Sequence, residues 1–320
     1  MSTDGLLARA GRALLGSWSF RRPPHAFVLT EERLVHVASP REARGGGGPA
    51  VRSRDLPPGT FRLSPTGVPV AGPGLAEAVA ALLPPGGRVP AASLAVPDAF
   101  VKAAPVDVEP GVERNAKELA EVLRWKVSRL YGEPAPALRV AGCPAGDAPG
   151  GGPRYLVVAA PEETLASCEA AFAAHGVRIG ALEPASLAIS AIAGKALPGS
   201  GFVVVADGPS VSTVFLQGGA VRFLRTRASA ADVEEALQEF RLAATFVGGA
   251  SLEGPGPDLT ADLVVVPESS PIAGRLRELR SEAGGRPPLS LAGLLAARGI
   301  PARAGDTAPL VGLGLLEGAE

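Results

Sequence analysis

The feature that most constrains the fold is a set of three short apolar segments in the last third of the chain. Residues 202–206 are rich in β-branched side chains and are followed by Asp207, Gly208 and Pro209, which predicts a buried strand ending in a turn. Residues 211–216 and 220–225 follow, separated by a Gly-Gly turn that is typical of a hairpin. The stretch therefore predicts three consecutive antiparallel strands with a polar first turn.

Three further stretches accompany these strands in a characteristic order. An Ala-rich segment at 183–193 precedes them, an amphipathic segment at 237–246 follows them, and an apolar, Gly-containing segment closes the chain at 308–316. This order resembles that of the PilM family, actin-like proteins of type IV pilus assembly that are similar to the cytoplasmic part of the type II secretion protein GspL. The resemblance covers residues 25–316 and implies an α/β, actin-like (ribonuclease H-like) bilobed fold with a small inserted α/β subdomain.

The resemblance and the local pattern together divide the chain into five parts. Residues 91–182 read as strand, helix, two strands, helix and strand, which we interpret as the inserted subdomain. The expected parts are an amphipathic N-terminal segment at 1–22, the first part of the first lobe at 23–90, the inserted subdomain at 91–182, a helix returning to the first lobe at 183–200, and the second lobe with a closing C-terminal helix at 201–320.

Composition excludes some partners and indicates a compartment. The 320 residues contain 31 Lys and Arg against 32 Asp and Glu, a net charge of −1 that lacks the basic excess of nucleic-acid-binding proteins. Cys143 and Cys168 are too few for a disulfide scaffold, which favours a reducing compartment. No apolar run approaches the roughly 18 residues of a membrane span. We therefore expect a cytoplasmic protein whose membrane association, if any, is peripheral. The resemblance implies that this association is with the inner membrane and depends on partners.

The first 20 residues have the pattern of a basic amphipathic helix. Leu7, Leu14 and Trp18 share one face at helical spacing, and Arg9 and Arg12 lie opposite. Such a helix could lie on an anionic membrane or against a partner. It could equally fold back onto its own domain or fray, as chain termini often do.

A second helix, expected at residues 112–131, carries an unusual tryptophan. Its apolar stripe consists of Leu119, Val122, Leu123, Val127 and Leu130. Trp125 faces the other way, with Glu118 and Glu121, so either a neighbouring element covers it or it is an exposed anchor for a partner. In the PilM family a groove beside the inserted subdomain receives the short cytoplasmic peptide of the membrane protein PilN. The resemblance thus implies a PilN-like partner, among other proteins of the pilus or secretion platform.

The first turn of the three-strand segment stands where the family binds nucleotide phosphates. Asp207 and Thr213 match the family pattern Asp-x-Gly-x-x-x-Thr. Pro209 stands at the Gly position of the pattern and has no N–H to donate. The binding interpretation places Asp207 and Gly208 near a Mg²⁺-bound phosphate that Ser212 or Thr213 contacts. The alternative is that Asp207 and Ser210 cap an ordinary hairpin turn.

Two more turns that contact the nucleotide in the family also depart from its pattern. Thr30 is followed by two glutamates where the family has Asp-x-Gly, and these carboxylates would repel a triphosphate. Ser269 and Ser270 replace a Gly-rich turn that packs against adenosine. Because all three turns depart together, we expect a degenerate nucleotide site without cofactor, metal or catalytic residue, in a pseudo-ATPase that acts as a scaffold. The alternative is an active actin-like ATPase or small-molecule kinase that binds ATP with Mg²⁺ between the lobes.

Overall fold

The computed structural model describes residues 22–42, 49–84, 89–132, 136–148, 151–197, 199–207, 210–227, 232–248, 262–282, 286–296 and 307–316. Within these ranges the strands are β1 (His25–Leu29), β2 (Arg33–Ala38), β3 (Ala50–Asp55), β4 (Phe61–Leu63), β5 (Pro69–Ala71), β6 (Ala91–Val96), β7 (Lys102–Asp107), β8 (Leu138–Asp147), β9 (Pro153–Pro161), β10 (Arg178–Pro184), β11 (Ser200–Asp207), β12 (Ser210–Gln217), β13 (Ala220–Arg227) and β14 (Asp262–Val266). The helices are α1 (Pro73–Leu82), α2 (Ala116–Ser128), α3 (Glu162–Ala173), α4 (Ala185–Ala196), α5 (Val233–Gly248), α6 (Pro271–Glu282), α7 (Leu291–Ala296) and α8 (Thr307–Leu316).

The first lobe is built on a five-stranded sheet in the order β10-β6-β1-β2-β3. Strands β1, β2 and β3 are antiparallel neighbours, whereas β6 is parallel to both β1 and β10. This is the strand order of a ribonuclease H-like lobe. Helices α1 and α3 cover one face, where Phe27 and Phe172 pack edge to face at 4.9 Å between ring centroids.

The second lobe repeats this order with one strand fewer among the described residues. Its sheet runs β13-β12-β11-β14, with the three antiparallel strands that the sequence predicts and β14 parallel to β11. At the position of the fifth strand of the first lobe, the described part of the second lobe has a single parallel bridge, between Leu289 and Val264. Helices α5 and α6 cover the outer face of this sheet. The two similar sheets confirm the bilobed architecture.

Helices α4 and α8 lie between the two sheets and share one hydrophobic core with both of them. Two glycines of α8 permit this packing. A Cβ atom on Gly312 would overlap the side chain of Val37 in β2, and one on Gly314 would overlap the carbonyl group of Ala188 in α4. Helix α8 therefore packs closely against both β2 and α4.

A third sheet, β7-β9-β8, forms the inserted subdomain together with α2. The range expected for it, 91–182, is too wide. Strands β6 and β10 at the two ends of that range pair within the first-lobe sheet, and α3 packs on the same sheet. Only residues 102–161 belong to the separate unit. Local pattern could not show this, because the pairing of β6 with β1 joins segments about 65 residues apart in sequence.

One predicted strand also belongs elsewhere. The sequence of residues 60–63 is compatible with a third strand beside the β1–β2 hairpin, but that position is occupied by β3. Strand β4 pairs with β5 in a separate two-stranded sheet instead. The β1–β2 hairpin itself has its turn where predicted, after Thr30.

The segment predicted to form an N-terminal helix, with Leu7, Leu14 and Trp18, lies outside the described residues. Just after it, Arg22 forms an ion pair with the buried carboxylate of Glu183 at the end of β10. Arg22 also donates from Nη1 to the carbonyl of Leu315 in α8, at 3.2 Å. Any deletion designed to test the N-terminal segment should therefore stop before Arg22, because its loss would leave Glu183 buried without its partner.

A pair of buried histidines lies on the face of the first sheet that packs against α1 and α3. His25 Nδ1 and His36 Nε2 are 3.1 Å apart, and the His36 ring stacks on Phe27. Burial lowers the pKa of both histidines, that of His36 to about 4, with further lowering from the nearby His25 and Arg52. The pair is thus neutral in the folded protein near pH 7.

We predict that this pair makes stability depend on pH. Because the pKa of His36 is about 4 folded and 6.5 unfolded, the unfolded chain binds more protons between these values. The stabilisation is complete above pH 6.5 and is lost as pH falls towards 4. His36→Gln should abolish this loss. In urea titrations, the unfolding free energy of the wild type should therefore fall by about 2 kcal/mol more than that of the variant between pH 7.5 and pH 5. Parallel curves for the two proteins would contradict the assignment.

Candidate functional site

Trp125 projects from the outer side of α2. The helix begins at Asn115, whose side-chain oxygen accepts from the backbone N–H groups of Lys117 and Glu118 at 3.1 and 3.3 Å. From there Leu119, Leu123 and Val127 point into the core of the inserted subdomain. Trp125 lies opposite, as its spacing predicts, and 60% of it remains exposed. Among the described residues, no neighbouring element covers it.

The end of this helix differs from the expectation. Leu130 was expected in the buried stripe but is 41% exposed. The α-helix ends at Ser128, and a tighter 3-10 turn at Arg129–Tyr131 follows. Leu130 lies in this turn, beyond the end of the α-helix. Val122, also expected in the stripe, is half-buried.

A cleft of about 340 Å³ lies beside Trp125. We call it the Trp125 cleft; its lining residues are Glu121, Arg124, Trp125, Ser128, Pro136, Ala137 and Leu138. Arg129 places its guanidinium carbon 5.7 Å from the centroid of the Trp125 ring. Of the three residues predicted to bind a partner, Trp125 and Glu121 line the cleft, whereas Glu118 lies in the first turn of α2. The cleft thus combines an aromatic surface with charges of both signs.

The cleft lies where the inserted sheet meets the first lobe. One residue beyond its wall, Arg139 in β8 reaches α3, donating from Nε to Glu162 Oε2 at 3.0 Å and from Nη1 to Glu169 Oε1 at 2.6 Å. These bonds to Arg139 hold the pKa of Glu162 below its usual value. Since all three side chains are partly exposed, these ion pairs contribute little to the free energy of unfolding, and their main effect is on the position of β8. They fix the start of β8 relative to α3.

The hydroxyl groups expected to contact phosphate in the second lobe lie in the interior. The Ser212 hydroxyl donates to Asp98 Oδ2 at 2.6 Å and lies 2.9 Å from Thr226 Oγ1. Thr213 Oγ1 is buried and has no hydrogen-bond partner among the described residues. Ser210 is also buried. Asp207 ends β11, and Gly208 lies outside the described residues.

The hydroxyl groups of the other two turns cap local structure. Thr30 Oγ1 donates to the carbonyl of Arg33 and accepts from its N–H, both at 3.1 Å, which closes the β1–β2 turn. Ser270 Oγ donates to the carbonyl of Pro267 at 2.8 Å and accepts from the N–H of Ala273 at 3.4 Å, at the start of α6. Ser269 is exposed. The bonds of Thr30 and Ser270 belong to the turns themselves.

Asp98, which the sequence analysis did not single out, connects the two lobes. It begins the 3-10 turn after β6 and is 4% exposed. Its Oδ1 accepts from the backbone N–H of Ser186 at the start of α4, at 3.1 Å, and its Oδ2 accepts from Ser212. Burial raises the pKa of Asp98, while the hydrogen bonds from Ser212 and Ser186 oppose this shift. In the sequence, the one sign of this role is an acidic residue shortly after a buried apolar strand.

No three His, Cys, Asp or Glu side chains among the described residues are grouped so that they could hold a metal ion. None of the described helices is both long enough and apolar enough to cross a membrane.

Comparison with known proteins identifies the fold. No model of a protein family and no curated protein matches the sequence. Among solved structures, the PilM-PilN type IV pilus biogenesis complex matches with a TM-score of 0.67 at 19% identity, over 94% of this chain and 100% of that chain. Two others have TM-scores of 0.47 and 0.49: the cytoplasmic domain of EpsL, an inner-membrane component of the type II secretion system of Vibrio cholerae, and an actin-like ATPase fold protein of unknown function from Bacteroides thetaiotaomicron.

Those two matches are at 14% and 9% identity, and they cover 76% and 82% of this chain and 81% and 88% of the respective structures. The first match covers 94% of this chain and thus includes both lobes, whose sheets share one strand order. At 19% identity, the similarity concerns the fold. The chain therefore has the actin-like, bilobed α/β fold that is also found in PilM.

Proposed function

We propose that this protein is a PilM-like scaffold of the inner-membrane assembly platform of a type IV pilus or type II secretion system. In this proposal it binds the cytoplasmic N-terminal peptide of a PilN-like membrane protein in the Trp125 cleft. The observation that carries the proposal is an exposed tryptophan in a cleft of the inserted subdomain, in a fold shared with a protein whose structure is a complex with PilN. The protein would lie in the cytoplasm, peripheral to the membrane through this partner.

The physical properties of the cleft suit a short peptide. Tryptophan side chains in concave sites contribute large shares of binding free energy because they bury a rigid apolar area. At about 340 Å³, the cleft has room for a small group such as one or two side chains rather than a folded domain. Arg124 and Glu121 at its margin can form hydrogen bonds with the peptide backbone or ion pairs with acidic and basic side chains, respectively.

Trp125→Ala should weaken peptide binding by about 30-fold or more, equivalent to about 2 kcal/mol. Because 60% of Trp125 is exposed, the melting temperature should remain that of the wild type. The measurement is isothermal titration calorimetry with a synthetic peptide of the cytoplasmic N-terminal residues of the PilN-like protein from the same organism. Phe246→Ala is the matched control, since Phe246 is 53% exposed on α5, in the other lobe, and its loss should leave binding unchanged. Equal losses in both variants would contradict a specific role of the cleft.

We further propose that the protein has no ATPase activity. This is supported by the positions of hydroxyl groups in the three turns: Ser212 is bonded to a buried carboxylate, Thr30 closes its own turn, and Ser270 donates to the carbonyl of Pro267. Binding a phosphate through these three groups would first require breaking internal hydrogen bonds. No cofactor is needed for a scaffold of this kind.

The second candidate function, an ATPase or kinase that uses Asp207 and Thr213, gives a different result in a thermal unfolding experiment. We expect no change in melting temperature on addition of millimolar ATP and Mg²⁺. A ligand at 100 times its dissociation constant stabilises by about 2.7 kcal/mol, which raises the melting temperature by several degrees. A shift of that size, abolished by Asp207→Ala, would support the enzyme instead.

A further inference from the structure

The inserted sheet has an open edge beside the Trp125 cleft. Its order among the described residues is β7-β9-β8, so β8 has a strand neighbour on one side only. The backbone groups on the other side of an edge strand are available to an additional strand. Strand β8 begins at Leu138, which itself lines the cleft, so the open edge and the cleft are adjacent.

The register of β8 shows which of its backbone groups face the open edge. Leu138 lies opposite Pro161, which places Ala137 opposite Glu162, and the N–H of Glu162 donates to the carbonyl of Ala137 at 2.8 Å. In an antiparallel pair, residues alternately direct both backbone groups towards the partner and away from it. Residues bonded to β9 are therefore Arg139, Ala141 and Cys143. The residues whose N–H and C=O groups face the open edge are Leu138, Val140 and Gly142.

The side chains of the open-edge residues are on the same side of the sheet as α2. Leu138 and Val140 pack against the core formed with this helix. Gly142 lies so close to it that a Cβ atom there would be 3.1 Å from Leu123 Cδ1. A strand added at this edge would place alternate side chains on the α2 side as well, next to the flank that carries Trp125.

The length of the open run is limited. Pro144 has no N–H, and the pairing of β8 with β9 becomes irregular between Pro144 and Gly146. The regular run from Leu138 to Gly142 matches about five residues of extended chain at about 3.3 Å per residue. Only another extended backbone can pair with donors and acceptors that alternate in this way, which is the recognition mode known as β-augmentation.

Resting on the proposed function, we propose that the partner peptide binds as an added strand along β8, paired through the backbone of Leu138, Val140 and Gly142, with an apolar side chain in the Trp125 cleft. The peptide is then a segment of about five extended residues. A bulky apolar residue occupies the position beside Leu138, and proline is absent from positions whose N–H faces β8. Affinity comes from the backbone and selectivity from the cleft.

Amide hydrogen exchange measured by NMR tests this pairing residue by residue. In the free protein, the amides of Leu138, Val140 and Gly142 should exchange rapidly, whereas those of Arg139, Ala141 and Cys143 should be protected by β9. Saturation with the synthetic N-terminal peptide should slow exchange of the first three at least tenfold and leave the other three unchanged. Binding that leaves the first three amides in rapid exchange would overturn strand addition while leaving the cleft proposal intact.

Backbone N-methylation of the peptide is the second measurement. Methylation at successive positions should weaken binding at least tenfold at every second residue and have little effect between them, because alternate N–H groups face β8. A uniform response would overturn the inference. A peptide that does not bind at all would overturn the proposed function together with it.

A protein variant addresses the same bonds from the other side. Val140→Pro removes an N–H that faces the open edge and leaves the ladder to β9 intact, so it should weaken peptide binding at least tenfold. If the three open amides instead become protected without peptide as protein concentration rises, with a dimer detected by ultracentrifugation, the edge pairs with a second copy and the inference is wrong.

Discussion

The Gly314→Ala variant is expected to be less stable than the wild type by about 3 kcal/mol. Its added methyl group would occupy the position of the Ala188 carbonyl in α4. The Cβ atom is fixed directly to the backbone of one helix and the carbonyl belongs to the backbone of the other, so the clash cannot be relieved by a side-chain rotation. Helices α4 and α8 would have to separate, which would disturb the core that they share with both sheets.

Urea denaturation of Gly314→Ala beside Gly274→Ala provides the measurement and its control. Gly274 lies within α6, and a Cβ atom there has no heavy atom within 4 Å. Because alanine has the higher helix propensity, Gly274→Ala should stabilise the protein by about 0.5 to 1 kcal/mol. The two substitutions are chemically identical, so opposite signs can come only from their surroundings. A Gly314→Ala protein as stable as the wild type would show that α4 and α8 are not packed this closely.

Asp98→Ala is expected to be similarly destabilising, by about 3 kcal/mol. It leaves the N–H of Ser186 without its acceptor and deprives Ser212 of its 2.6 Å bond, both in the interior. Each buried polar group left unsatisfied costs about 1 to 3 kcal/mol. Asp98→Asn keeps the shape and one carbonyl oxygen, so it should lose only about 1 kcal/mol. Urea titrations of both variants measure these differences.

A double-mutant cycle with Ser212→Ala tests whether Asp98 acts across the lobes. Since Ser212 belongs to β12 of the second lobe and Asp98 follows β6 of the first, their coupling measures an interlobe bond. We expect a coupling of about 1 kcal/mol or more. Additive losses would mean that the two residues contribute independently and that Asp98 does not connect the lobes.

Much of the local structure was predictable because it depends on neighbours in sequence. The three antiparallel strands follow from β-branched runs separated by turn residues, which bias the chain locally. Helical spacing placed Trp125 opposite the stripe of Leu119, Leu123 and Val127. Its exposure was left open, because spacing does not show whether another element covers that side.

The candidate site was predictable only in part. Spacing placed Trp125 and Glu121 on one side of a helix, but the cleft also needs Pro136, Ala137 and Leu138, which come from a different segment. The spacing of Asp207 and Thr213 was compatible with a phosphate-binding turn and with an ordinary hairpin. The binding roles of these residues remain predictions that the titrations above test.

The sequence by itself determined the three antiparallel strands β11 to β13, the turn after Thr30 and most of the buried side of α2, because these depend on residues a few positions apart. Only the tertiary structure decided which sheet contains β6 and β10, and that Ser212 bonds to Asp98, 114 residues away. It also decided that β8 lies at an open edge next to Trp125. The physical reason is that hydrogen bonds between distant segments are set by the packing of whole sheets and helices, which no short window of sequence contains.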